Sequence, residues 1–312
     1  MKINPKMKEK QTGVAIVLAM SVVALAALAA TAMAVSQSTW SRQVELSTNH
    51  TQALLIINGG LNWSRAVLSD DSRISNLDYQ GEPWSLQLPT IPVENGSLSG
   101  HMEDQQGKFN LNNLVKNGKI NNAQLAHFRR LLSILALPSA LADTLADWID
   151  SDNETQASDG AEDAYYLSLP TPHFAANRPL IDVTELSLVR GFDEAVRARL
   201  SPFVTALPEF TAVNVNTASP EVIYAIVDGL QLDDARAVIA QRERLHFFRN
   251  FPDFYNQLPA GLSVAGEDVA VNSNYFLVSI HATINDTQAH GYALLARTNN
   301  TNWPTVIWRK YL

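Results

Sequence analysis

Residues 14–35, VAIVLAMSVVALAALAATAMAV, run for 22 residues without a charge, directly after Gly13. As a helix this stretch would rise about 1.5 Å per residue, roughly 33 Å in all, enough to cross a bilayer's hydrocarbon core. Before it lies a short leader, MKINPKMKEKQTG, with four lysines and one glutamate. A basic flank of this kind stays cytoplasmic, so the rest of the chain is expected to face outward.

The segment alone leaves three kinds of processing open. One is a secretory signal peptide cut after a small-x-small site such as Ala32-Met33-Ala34. Another is an uncleaved anchor. The third is a prepilin-type leader, cut just after a glycine that meets an apolar run. The apolar stretch exceeds the roughly 7–15 residues of a signal core, and it leads without a break into a further helical pattern. No proline occurs from Trp40 to Ser69, and apolar residues recur at Val44, Ala53, Leu54, Ile57, Leu61, Ala66 and Leu68. Gly59 and Gly60 are expected to weaken that helix locally. A helix greasy in its first half and amphipathic in its second favours the prepilin-type reading.

The chain has 312 residues, 46% of them apolar, which suffices for packed cores. It has no cysteine, which excludes disulfides, thiolate metal sites and a cysteine nucleophile. Net charge is −8, and three units more negative without the leader. An acidic body of this kind is a poor partner for nucleic acid or anionic lipid and a reasonable host for cations.

Strand-like pieces at 84–88, 91–94 and 97–103 follow a turn-rich stretch, and period-two alternation returns at 275–284, 290–298 and 305–312. Between them the pattern is helical, at 123–137, 139–150, 183–189 and 193–200. The expected architecture is an α+β fold whose antiparallel sheet is interrupted by an inserted helical domain, leaving the sheet near 105 and returning near 263. Inside the insert, FNLNNL (109–114) resembles VNVNTAS (213–219), and each is followed by a helical hairpin and then an apolar-plus-acid segment, PLIDVTEL (179–186) or NFPDFYNQL (250–258). Two similar helical subdomains are expected.

Residues 213–249 look like a helix-hairpin-helix unit, with Asn216 or Thr217 as cap of the first helix and Asp228-Gly229-Leu230 as the hairpin. DNA-binding members of that class use Gly-x-Gly, so that backbone N–H groups hold a phosphate at the next helix start. Here the second glycine position is Gln231, and Asp233 and Asp234 stand where the phosphate would sit. Arg236, Arg242, Arg244 and Arg249 are better explained as a solvated or salt-bridged face.

DWIDSDNETQASDGAED (147–163) holds seven carboxylates, and no lysine or arginine occurs between Arg130 and Arg178. Such a cluster is either fully solvated or neutralised by a hard divalent ion, above all calcium, which takes six to eight oxygens. The loop is not an EF-hand, because Thr155 and Ala161 replace the required Gly and Glu when counting from Asp150. Trp148, Ile149, Tyr165 and Tyr166 pull it against a core and so disfavour full solvation. The candidate metal ligands are Asp147, Asp150, Asp152, Asp159, Glu162 and Asp163.

The leader, the long helix, the interrupted sheet and DWIDSD…GAEDAYY…ANRPLIDVTEL…NVNTAS in that order resemble the K-type minor pseudopilins of type II secretion systems (general secretion pathway protein K). The resemblance covers essentially the whole chain. It implies a pilin-like long N-terminal helix and antiparallel sheet with a large inserted domain, SAM-like or helix-hairpin-helix-like. The implied division is 1–13 leader, 14–35 transmembrane half-helix, 36–108 first part of the pilin-like domain, 109–210 first helical subdomain with the calcium loop, 211–262 second helical subdomain, and 263–312 C-terminal strands. It further implies cleavage after Gly13, methylation of Val14, and two bound calcium ions in the insert. Implied partners are I- and J-type minor pseudopilins, the major pseudopilin, the inner membrane and secreted proteins, with the body in the periplasm and no nucleic acid bound. The alternative is a membrane-anchored DNA receptor of a competence-type uptake system.

Most pilin-like subunits carry Glu at the fifth mature residue, pairing in the membrane with a neighbour's terminal amine. Counted from Val14, that residue is Leu18, a departure that K-type members share and that suits a topmost subunit. No Gly-x-Ser-x-Gly, His-Glu-x-x-His or P-loop occurs, GSLSG (96–100) places Leu98 where a nucleophile would be, and the seven histidines are scattered, so no enzyme is expected.

Overall fold

The computed structural model describes residues 12–156, 160–297 and 303–312. Helix α1 (Thr12–Ile74) is unbroken. Its first half is exposed throughout, with Val14, Leu18 and Leu28 between 64% and 69% accessible. A helix apolar on every side and without protein cover is what a membrane span requires, and this one is long enough. Farther along, Ala53, Ile57, Leu61 and Leu68 are buried, spaced by four and seven so that they share one stripe.

The helix runs unbroken through Gly59-Gly60. A Cβ on Gly60 would lie 3.2 Å from the Ile280 side chain, and one on Gly291 only 2.3 Å from Ile57. Glycine at these points lets α1 lie close against the sheet.

Strands β1 (Leu88–Val93) and β2 (Gly96–Asp104) begin that sheet. The chain then leaves it for an insert. The insert's elements are β3 (Phe109–Asn110), β4 (Val115–Lys116), β5 (Lys119–Ile120), α2 (Asn122–Ile134), α3 (Ala140–Ile149), α4 (Asp163–Tyr166), α5 (Glu194–Leu200) and β6 (Val204–Thr205). They continue with β7 (Val213–Asn214), α6 (Pro220–Ile226), α7 (Leu232–Leu245), α8 (Phe251–Tyr255) and β8 (Val269–Ala270). The sheet resumes with β9 (Tyr275–Ile284), β10 (Thr287–Ala296) and β11 (Thr305–Tyr311), giving the antiparallel order β1-β2-β9-β10-β11.

Two expectations are corrected here. The piece at 84–88 is not a strand. Trp84 sits in a short 3₁₀ turn, fully buried, with its ring edge-on to Phe276 at 5.1 Å, where it closes the core between α1 and the sheet. The sheet resumes at Tyr275 rather than near 263, because Val269–Ala270 pairs in parallel with Val213–Asn214 and holds the preceding residues in the insert.

The repeated Asn motif has a structural counterpart. Strand β3 pairs in parallel with β6, as β7 does with β8. In the first copy, Asn110 Oδ1 accepts from the N–H of Asn112, and Asn112 both accepts from and donates to the Leu180 backbone at 2.8 and 2.9 Å. In the second, Asn214 Oδ1 accepts from Asn216 N–H, and Asn216 makes the same double bond with Phe248 at 2.7 and 3.0 Å. Asn216 is thus a clamp, and Ser219 caps α6 instead, accepting from Val222 N–H. The two copies share one hydrophobic core reaching from Phe109 to Val269, distinct from the core between α1 and the sheet.

Insert and sheet meet at a buried polar junction. Asp104, the last residue of β2, accepts from Gln106 N–H, Ser273 Oγ at 2.6 Å, Thr217 Oγ1 and Asn214 Nδ2. Arg297, just past β10, reaches Asp71 at the end of α1 at 2.9 Å, Asp78, and the Ser273 carbonyl. Burial pushes the pKa of Asp71, Asp78 and Asp104 upward. Arg297 is the cation that bonds to Asp71 and Asp78. Arg297→Ala therefore leaves buried carboxylates uncompensated and should cost about 3–5 kcal/mol, read as a lowered denaturant midpoint, whereas Arg236→Ala on the exposed Arg236–Asp233 pair should leave the midpoint nearly unchanged.

Candidate metal centre

The acidic loop begins where α3 ends. Asp147 lies in the last turn of that helix, wholly buried. Its Oδ1 accepts from Gln156 N–H at 3.1 Å and its Oδ2 from Ala161 N–H at 3.0 Å, so one side chain holds both arms of the loop. Ser151 bonds to the Gly118 carbonyl, and Arg190 donates to Gly160 O at 3.3 Å while lying over the Tyr165 ring. Beneath the loop, Trp148 and Tyr166 are buried and meet edge-on at 4.9 Å.

This framework brings Asp150, Asp152 and Glu162 together, with one oxygen from each lying within 4.8 Å of the others. Oxygens about 2.4 Å from one calcium ion stand at most about 4.8 Å apart, so the set fits a shared ion. Asp150 and Glu162 are 1% and 3% exposed, and Asp150 Oδ1 and both Glu162 carboxylate oxygens lack any hydrogen-bond partner. Buried carboxylate oxygens without donors are costly, and a hard cation is the usual remedy.

Electrostatics carry the same message. In the protein alone, burial followed by the charges of Asp152 and Asp147 pushes Asp150 up to about 7. Burial and four neighbouring carboxylates push Glu162 up to about 8. Asp147 rises to about 6, mainly through burial, against the two backbone N–H bonds it accepts.

The six predicted ligands do not act alike. Asp150, Asp152 and Glu162 converge, and Asp147 braces the loop beside them. Asp163, whose charge also acts on Glu162, accepts from Ala175 N–H through Oδ1 at 2.9 Å while its own N–H donates to Asn153. Asp159 lies outside the described residues. Among the described residues the insert holds one such cluster, and the other in the molecule, Asp71, Asp78 and Glu82, adjoins Arg297 at the junction. Sequence reasoning missed Arg190, which comes from a connection between helical segments and carries no local pattern to mark it.

At the helix-hairpin-helix segment three arginines already have protein partners. Arg130 donates to the Tyr224 and Val227 carbonyls at the hairpin and pairs with Asp228. Arg242 is occupied by the Val215 and Ala218 carbonyls, and Arg236 by Asp233.

An apolar N-terminal helix running onto an antiparallel sheet, with a helical body inserted between β2 and β9, defines a pilin-like subunit with a candidate membrane anchor. Two family models, both described as type II secretion system (T2SS), protein K, match residues 107–209 and 213–276. The type II secretion system protein K of Pseudomonas aeruginosa is 34% identical over 292 residues, covering 90% of this chain and 87% of that protein. That of Aeromonas hydrophila is 35% identical over 250 residues, 73% of this chain and 74% of that protein. A chain in the crystal structure of the GspK-GspI-GspJ complex from the enterotoxigenic Escherichia coli type 2 secretion system aligns with a TM-score of 0.76 at 25% identity, over 86% of this chain and 99% of that one. The chain belongs to the type II secretion system protein K family. It is a minor pseudopilin of type II protein secretion, and the DNA-receptor alternative falls away.

The raised carboxyls set a pH dependence for the ion-free protein. Folded Asp147, Asp150 and Glu162 hold protons up to about pH 6, 7 and 8, whereas their unfolded counterparts release them near pH 4. The folded state binds more protons across that window, so stability is greatest below it and falls as pH rises through it. Melting midpoints in EDTA should decline from about pH 5 to pH 8, and Glu162→Gln should flatten the decline.

Proposed function

We propose that this chain caps the pseudopilus in the inner membrane and periplasm, seated on I- and J-type minor pseudopilins above the major pseudopilin. The observation that carries this reading is Leu18. Residues 14–35 contain no acidic side chain, so the helix offers nothing to pair with the terminal amine of a subunit placed above it. The insert between β2 and β9 agrees, because so large a body would obstruct close packing along a shaft. The named complex of the structural neighbour supports the I- and J-type partners. The chain's part is structural rather than catalytic, with the tip placed to meet secreted proteins.

Maturation in this reading removes residues 1–13 by cleavage after Gly13 and methylates Val14. The exposed first half of α1 then grips sister helices in the membrane, where its many Ala and Ser residues permit close approach. Calcium belongs to the same reading. Bound at Asp150, Asp152 and Glu162, it would supply the positive charge that these carboxylates lack and fix the loop on the insert core. Two ions in the insert remain the expectation carried from the family.

Two measurements test these statements. Native chain purified from membranes should begin at Val14 and co-elute with the I- and J-type subunits. A chain that starts at Val35, or that is found along the whole filament, contradicts the cap. Separately, calcium should raise the melting midpoint at pH 8 and do so progressively less toward pH 5, as protons take its place. Glu162→Gln should raise the midpoint in EDTA at pH 8 and reduce the calcium response, and equal calcium responses in the two proteins would remove the site.

A further inference from the structure

On the sheet face turned away from α1, His281 of β9 and His290 of β10 stand directly opposite each other. Side chains alternate along a strand, and Ile280, Ala282 and Ala289 enter the core with α1, so residues 281 and 290 point outward. On its other side His290 exchanges both backbone hydrogen bonds with Leu312. Toward β9 it therefore forms the non-hydrogen-bonded kind of pair, in which facing side chains come closest. The two Nδ1 atoms are 3.3 Å apart, and the ring centroids 4.3 Å.

The far nitrogen of His281 is also placed. Its Nε2 lies 3.3 Å from Thr283 Oγ1. A neutral imidazole has one ring proton. With that proton on Nε2, donated to the threonine hydroxyl, Nδ1 keeps its lone pair directed at His290. This is the outer hydrogen bond that fixes the tautomer and orientation of metal-binding histidines.

We propose that His281 and His290 bind a borderline divalent transition ion of the zinc class through their Nδ1 atoms. Two nitrogens about 2.05 Å from a tetrahedral zinc ion stand about 3.3 Å apart, the separation that the strands already impose. Imidazole suits such ions better than carboxylate does, and the chain has no thiolate to compete for them. In front of the pair a groove of about 330 Å³, lined also by Ser99, His101 and Tyr292, leaves room for waters to complete the coordination. The site is separate from the acidic loop of the insert, whose oxygen ligands select hard ions.

The test uses the full-length chain without a histidine tag, in detergent, with calcium in excess to saturate the acidic loop. Cobalt(II) is titrated in as the spectroscopic probe, followed by zinc(II) as competitor. The expected result is visible absorption that saturates at one equivalent and is displaced by zinc. Binding should weaken at least about ten-fold in His281→Ala and in His290→Ala. Both variants should keep the metal-free melting midpoint of the unaltered chain, because these rings lie on the outer face and carry no core packing. No saturable absorption in the unaltered chain, or undiminished binding in either variant, would overturn the proposal.

Discussion

The buried junction around Asp104, Asp78 and Arg297 is what lets one chain be a filament subunit and a large helical body at once. An insert between neighbouring strands must leave and re-enter a sheet without exposing the core beneath. Asp104 does this by joining the exit at β2, the return at Ser273 and the second Asn motif at Asn214 and Thr217. Arg297 adds the end of α1 through Asp71 and the segment after it through Asp78. Buried charge of this kind contributes little net stability compared with apolar packing. It is intolerant of a missing partner, and that intolerance fixes how the two bodies sit together.

The acidic loop applies the same physics in the opposite sense. At the junction an arginine meets buried carboxylates, whereas in the loop no lysine or arginine lies near in sequence and Arg190 is directed to a carbonyl and a tyrosine ring. Asp147 spends both oxygens on loop N–H groups, while Asp150 Oδ1 and both Glu162 carboxylate oxygens beside it stay without a hydrogen-bond partner. The loop thus gathers buried carboxylates that no arginine or lysine hydrogen-bonds among the described residues.

Much of this was legible in the sequence because it depends on period and composition. The anchor helix follows from 22 uncharged residues, the strand pairs β9–β10 and β10–β11 from alternation, and the acidic loop from charge density beside Trp148 and Tyr166. What could not be read were long-range partners. Nothing local marks Val269–Ala270 as the mate of Val213–Asn214, so the insert was expected to end too early. Asn216 looked like a helix cap because its type suits one, but the backbone of Phe248, 32 residues on, claims it. Trp84 has strand propensity, and its ring was needed to seal a core instead.

The flanking of the insert by two central strands has a mechanical consequence. Asp104 and Phe276 face each other at one end of the β2–β9 ladder, so a tug on the insert draws both strands lengthwise. Each is bordered by a further antiparallel strand, β1 on one side and β10 on the other. Lengthwise traction loads many cross-strand bonds in shear together instead of peeling them singly. A minor pseudopilin built in this way resists separation of its insert from its sheet along the strand direction.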